Sequence, residues 1–190
     1  MALLDNRRKA VLPSSILLVF TGDDVTSFVP FKMAFQRMIL TNCEDEAMKY
    51  YYLDQYTDGQ ARQLVRSCFN CSPDDAYRRA FRHLEERYGN SYVIAQAFVS
   101  KLEDWPRLKS EDKGALSDFS LFLTSIENMM ENSDDLDQLD SHREIRRIVD
   151  KLPFDLMRAW RAKACGMMEA GDTIRFRHLA EFVNYQSRLL

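Results

Sequence analysis

The stretch SPDDAYRRAFRHLEERYG, Ser72 to Gly89, decides the reading of the whole chain. Ser72 is placed to cap a helix, Pro73 suits the first helical position, and Asp74 and Asp75 complement the positive end of a helix dipole. Tyr77, Ala80, Phe81, Leu84 and Tyr88 then recur at steps of three and four, so they share one face of a helix. Gly89 follows the last of them, where a C′ glycine stops a helix.

The same period repeats outward in both directions. Upstream, Phe28, Phe31, Phe35, Met38 and Ile39 form one apolar stripe, and Asp45 to Gln55 reads as a helix burying Ala47, Tyr50, Tyr51 and Leu53. Asp58-Gly59 breaks the chain before a third stripe, Ala61, Leu64, Val65 and Cys68. Earlier still, Ile16 to Phe20 reads as a short strand or extended segment, and residues 1–13 as an extended arm closed by Pro13. Downstream, a helix from about Tyr92 to Lys101 is closed by Trp105-Pro106, and a polar, charged connection runs to Gly114. A long helix follows with Leu116, Phe119, Leu123, Ile126 and Met130. Ile145, Ile148, Val149 and Leu152 mark the next, and Pro153 opens another with Leu156, Trp160, Ala164 and Met167. Asp172 or Thr173 caps a last helix carrying Phe176, Leu179, Phe182 and Val183. About nine helices with short loops predict an all-α fold, and no alternating strand pattern competes. Gly89-Asn90 is the expected boundary between two small helical lobes, 14–90 and 91–190.

Composition narrows the function. A 46% hydrophobic share with 12% aromatics supports packed cores rather than disorder. The net charge of −3 shows no basic excess, which makes phosphate-backbone binding a secondary reading. The longest apolar run, Ile16 to Phe20, falls far short of the roughly 20 residues that span a bilayer. Arg7, Arg8 and Lys9 precede a stretch too short for a signal peptide. The chain is therefore expected in the cytoplasm or nucleus, with no membrane partner, and Cys43, Cys68, Cys71 and Cys165 as reduced thiols.

Chemical motifs are few. Cys68-Phe69-Asn70-Cys71 lacks the second ligand pair that zinc needs, and His83, His142 and His178 are isolated in sequence. Cys68 falls on the stripe with Leu64 and Val65, so a buried thiol plus a second thiol at a helix end is the plainer reading. No βαβ pattern surrounds the pair to suggest redox catalysis. Asp23-Asp24 and Asp134-Asp135 read as helix starts and solvated loops rather than acid/base pairs. No phosphate-binding glycine loop, nucleophile elbow or zinc-protease motif is present. No catalytic residue, cofactor, metal or small-molecule substrate is expected. Arg143, Arg146, Arg147 and Lys151, with Arg158, Arg161 and Lys163, form the one basic cluster. It reads as a solvated helix face, or as a contact for nucleic acid or for the acidic 134–140 segment of a neighbouring copy.

Several spaced blocks together resemble the Gag proteins of LTR retrotransposons of the Pao/BEL class. They are FTGD (Phe20 to Asp23) with Phe28, Phe31, Phe35 and Ile39; EAMKYYYL (Glu46 to Leu53) with Gln55, Tyr56, Gly59, Ala61, Leu64 and Val65; and ERYG (Glu86 to Gly89) with Tyr77 and Leu84. Leu116, Phe119 and Leu123, then IVDKLP (Ile148 to Pro153) with Trp160, continue the likeness, and Phe176, Leu179, Phe182 and Val183 close it. The resemblance covers about residues 16 to 190. No zinc knuckle, protease or polymerase segment accompanies it, so what it implies is limited to the capsid function. It implies a retroviral-capsid-like fold of two lobes joined by a short hinge. It also implies self-association, as dimers and pentamer- or hexamer-type lattices, into a particle enclosing RNA. Residues 101–130 would take the place of the retroviral major homology region, although its Gln-Gly signature is missing. Residues 134–152 would correspond, by order of elements, to the helix that pairs C-terminal lobes. Leu136, Leu139, Ile145 and Val149 are the candidates for that pairing surface, and the competing reading makes them core. A host-adopted, dimeric adaptor that recruits partners without building a shell is the alternative function.

Overall fold

A computed structural model describes residues 19–189. The segment 1–13 and residues 16 to 18, for which extended structure is expected, lie outside the described residues. The described chain is all-α; its one β-type pairing is an isolated parallel bridge between Phe20 and Thr57. Contacts divide it into two compact units that meet in sequence at Asn90 and Ser91.

The first unit contains α1 (Phe28–Phe35), α2 (Glu46–Gln55), α3 (Gly59–Arg66) and α4 (Pro73–Tyr88). Its core is rich in rings. Phe20 lies 5.3 Å from Phe28, 5.4 Å from Phe31 and 5.0 Å from Tyr88, centroid to centroid. Ring edges and faces at these separations add attraction beyond their burial. The bridge holds Phe20 in place: its N–H donates to the Tyr56 carbonyl at 3.0 Å, and its carbonyl accepts from the Asp58 N–H at 2.9 Å. Gly22 follows with φ +90°, and a Cβ there would lie 2.5 Å from the Tyr88 hydroxyl, so only glycine fits. After α1 the chain widens into one π-helical turn, Gln36–Leu40, that keeps Ile39 buried beside Phe35.

Three details of this unit correct the sequence reading. Ala47 and Tyr51 face solvent rather than the core. With Leu53 pointing inward, the helical period puts Glu46, Lys49 and Tyr50 on its side and Tyr51 nearly opposite. Glu46 and Lys49 go inward as an ion pair at 2.7 Å, with the lysine 6.0 Å from the Tyr77 ring centre. Gly89 ends α4 with right-handed backbone, φ −94°, and not as a left-handed C′ residue. Its requirement is spatial, since a Cβ would sit 2.7 Å from the Glu85 carbonyl oxygen. Ser72 precedes Pro73 as expected, but its hydroxyl donates to the Asp75 carboxylate at 3.2 Å instead of capping a backbone N–H.

The second unit contains α5 (Ser91–Asp104), α6 (Lys113–Met130), a 3-10 segment Asp134–Asp140, α7 (His142–Val149), α8 (Phe154–Glu169) and α9 (Phe176–Leu189). α6 and α9 pack along each other, and the 3-10 segment plugs the space among α5, α6 and α7. Trp105 stacks on Phe122 at 4.8 Å and 16°. The connection after α5 is not simply polar: Leu108 is buried in it, and its N–H donates to the Lys151 carbonyl at 2.7 Å. Neither Asp172 nor Thr173 caps α9. Asp140 does so from the 3-10 segment, accepting from the Phe176 N–H at 2.7 Å while its other oxygen binds Arg175 at 2.9 Å.

Candidate self-association surface

α7 begins at Ser141, whose hydroxyl oxygen accepts from the Glu144 N–H at 3.3 Å. Its eight residues turn Ile145, Ile148 and Val149 inward, which sends the neighbouring cations to two different sides. Towards α5, Arg147 binds Glu103 at 3.3 Å and Glu144 at 3.1 Å. Lys151 extends past α7 and donates to the carbonyls of Glu103 at 2.8 Å and Trp105 at 2.7 Å. Burial and the Arg147 guanidinium together pull the Lys151 ammonium below its ordinary pKa. These two residues of the predicted basic cluster thus make structural ties within the unit, with the Arg147 side chain still 52% exposed. Arg143 is largely solvated, with Glu144 at 3.9 Å.

Arg146 goes the other way. Between α7 and α8 lies a groove of about 420 Å³ with Ile145, Val149, Trp160 and Ile174 as its floor. His142, Arg146, Asp150 and Arg161 form its rim. Arg146 and Arg161 make no ion pair among the described residues. α8 has α9 as its principal support and leaves one side open. Along that side Phe154, Arg158, Arg161, Cys165 and Met168 follow one another at steps of four and three, all exposed. Phe154 is 67% exposed and Met168 is 56% exposed, high for apolar side chains on a helix that also carries the buried Trp160.

Of the four residues read from the sequence as a pairing surface, the structure buries two in the core and places two on the floor of the groove. Leu136 is 0%, Leu139 1%, Ile145 4% and Val149 5% exposed. The two leucines are core side chains of the 3-10 segment, and Ile145 and Val149 reach daylight only as the groove floor. Sequence reasoning missed the α8 stripe because arginines interrupt its apolar positions, so no continuous hydrophobic period marks it.

A second cleft, of about 290 Å³, is lined by the end of α6, the 3-10 segment and the start of α9. Glu127, Glu131 and Asp137 line it, with Arg177 and the Asp140-bound Arg175. Burial, then the charges of Glu181 and Glu131, push the Glu127 carboxyl above its ordinary pKa, with Arg177 partly opposing them. The unit therefore presents a cationic groove and a carboxylate-crowded cleft as distinct surfaces.

Among the described residues, no group of three or more His, Cys, Asp or Glu side chains is arranged to hold a metal ion. No described helix is long and apolar enough to cross a membrane. A family described as a protein of unknown function, DUF1759, matches residues 20–166. No curated protein and no solved structure matches the chain.

Proposed function

This chain belongs to the DUF1759 family, and from that premise we propose that it is a structural, non-catalytic capsid subunit of Gag type. It self-assembles through weak lateral contacts into a shell that encloses nucleic acid. The family is commonly found in retrotransposon Gag-like proteins, which agrees with the resemblance carried by the sequence blocks. The two-lobe capsid arrangement belongs to the same proposal.

The observation that carries it is the α7/α8 groove with its unpaired arginine rim. An apolar floor favours covering by another surface, and Arg146 and Arg161 select an acidic one. The chain supplies such a surface itself in the cleft of Glu127, Glu131 and Asp137. Groove and cleft are different surfaces, so the contact between copies is head-to-tail. Contacts of that kind make rings or open arrays instead of stopping at two subunits. Each is weak, and repetition around a closed array supplies the strength.

Light scattering over a range of protein and salt concentrations, followed by electron microscopy, tests this. Wild type grows with concentration, and added salt weakens the growth. The double variant Arg146→Glu, Arg161→Glu stays monomeric with an unchanged melting temperature. Mixing it with Glu131→Arg, Asp137→Arg restores assembly. Growth that ends at a dimer would establish the adaptor instead, and assembly indifferent to these charges would remove the groove from the argument.

A further inference from the structure

The four residues Cys68 to Cys71 form the corner between α3 and α4 in the first unit. The Cys71 N–H donates to the Cys68 carbonyl at 3.0 Å, closing a tight turn. Such a turn brings its end Cα atoms within about 7 Å, the range in which a disulfide closes without backbone movement. Burial, with the nearby Cys71 thiol adding to it, pushes the Cys68 thiol above its ordinary pKa, and Ser67 and the Arg79 guanidinium partly oppose them. The two sulfurs differ in access. Cys68 is 3% exposed and packed in the core, whereas Cys71 is partly exposed, two residues before the first residue of α4. At the tip of the turn Phe69 stands 76% exposed, so the corner projects into solvent.

We propose that Cys68 and Cys71 form a reversible dithiol–disulfide site, with Cys71 as the attacking thiol and Cys68 as the resolving one. The oxidant is a small-molecule disulfide of the glutathione class. The Cys71 thiolate attacks one of its sulfurs, a mixed disulfide forms, and one small thiolate leaves with the bonding electron pair. The Cys68 sulfur attacks that of Cys71, and the second small thiolate leaves with the bonding pair and takes up the Cys68 proton. Two protein thiols are oxidised and one small disulfide is reduced to two thiols. Burial disfavours the Cys68 thiolate and so slows the second step, and the intramolecular geometry offsets this by holding the two sulfurs' residues together. The turn already holds the partners together, so the bridge forms in the folded chain with little loop-closure cost.

The test uses the full chain with Cys43→Ser and Cys165→Ser, equilibrated with oxidised and reduced glutathione, quenched in acid, blocked with maleimide and weighed by mass spectrometry. The expected product has lost two hydrogen atoms and carries neither glutathione nor maleimide. Adding Cys68→Ala leaves glutathione on Cys71. Adding Cys71→Ser instead leaves a Cys68 that maleimide labels at least about tenfold more slowly in the folded chain than in urea, since it reacts only on opening. The site is refuted if folded protein stops at the mixed disulfide, if both thiols stay free, or if bridging is no more favoured folded than in urea.

Discussion

Leu139→Ala separates a core from an interface. Leu139 is 1% exposed and lies where the 3-10 segment meets α5 and α7. The change removes three carbons from water-free packing, about 2.4 kcal/mol of transfer at ~0.8 kcal/mol per carbon. A residual void adds up to roughly 2 kcal/mol more. The side chain also borders a solvent cleft of about 270 Å³ between α5 and α7, which gives neighbours room to settle and holds the loss near the lower end. We expect about 3 kcal/mol. For a unit of about 100 residues that corresponds to a fall in melting temperature of roughly 12–18 °C. Both tryptophans, Trp105 and Trp160, belong to the second unit, so their emission on heating reports that unit alone. A variant that melts within about 3 °C of wild type and yet fails to assemble would refute the reasoning, because the leucine would then act between copies.

Two further outcomes follow from polar groups in the same unit. Asp140→Ala removes both the cap on the Phe176 N–H and the partner of Arg175, and should cost about 1–2 kcal/mol in urea unfolding followed by tryptophan emission; Asp140→Asn retains an acceptor for the cap and should lose less than half of that. Glu127 has its carboxyl pKa raised in the fold, so the folded state binds the proton more tightly and gains stability as pH falls through that value. Glu127→Gln should therefore raise the urea midpoint at neutral pH by the equivalent of about a few tenths of a kcal/mol, and the gain should vanish in acid; a gain that grows in acid would contradict the sign.

The helices were legible because their periods are local. Tyr77, Ala80, Phe81, Leu84 and Tyr88 lie on one face of α4, and all five are buried. What escaped the sequence depends on partners distant in the chain. Lys49 and Glu46 look like surface residues until each is seen to neutralise the other against Tyr77. Asp140 caps a helix that starts 36 positions later, beyond any local capping pattern. Lys151 looks like one more cation in a basic run, and its ties to the Glu103 and Trp105 carbonyls come from 46 to 48 positions upstream. Leu139 and Val149 followed an apolar pattern that says a side chain is covered without saying by what. The groove lies where two helices stand apart, and spacing along one helix does not report a gap beside it.

The Lys151 strap has a mechanical consequence. Through its side chain and its carbonyl it stitches the end of α5, the following connection and the end of α7 into one stiff frame. Among the described residues α8 enters from Pro153 without comparable stitching and leans mainly on α9. In the assembly proposed above, load arriving at the groove would be taken up by tilting α8 about Pro153 while the frame keeps its shape. That compliance would let one kind of joint seat neighbours at slightly different angles, as the proposed shell of varying curvature demands.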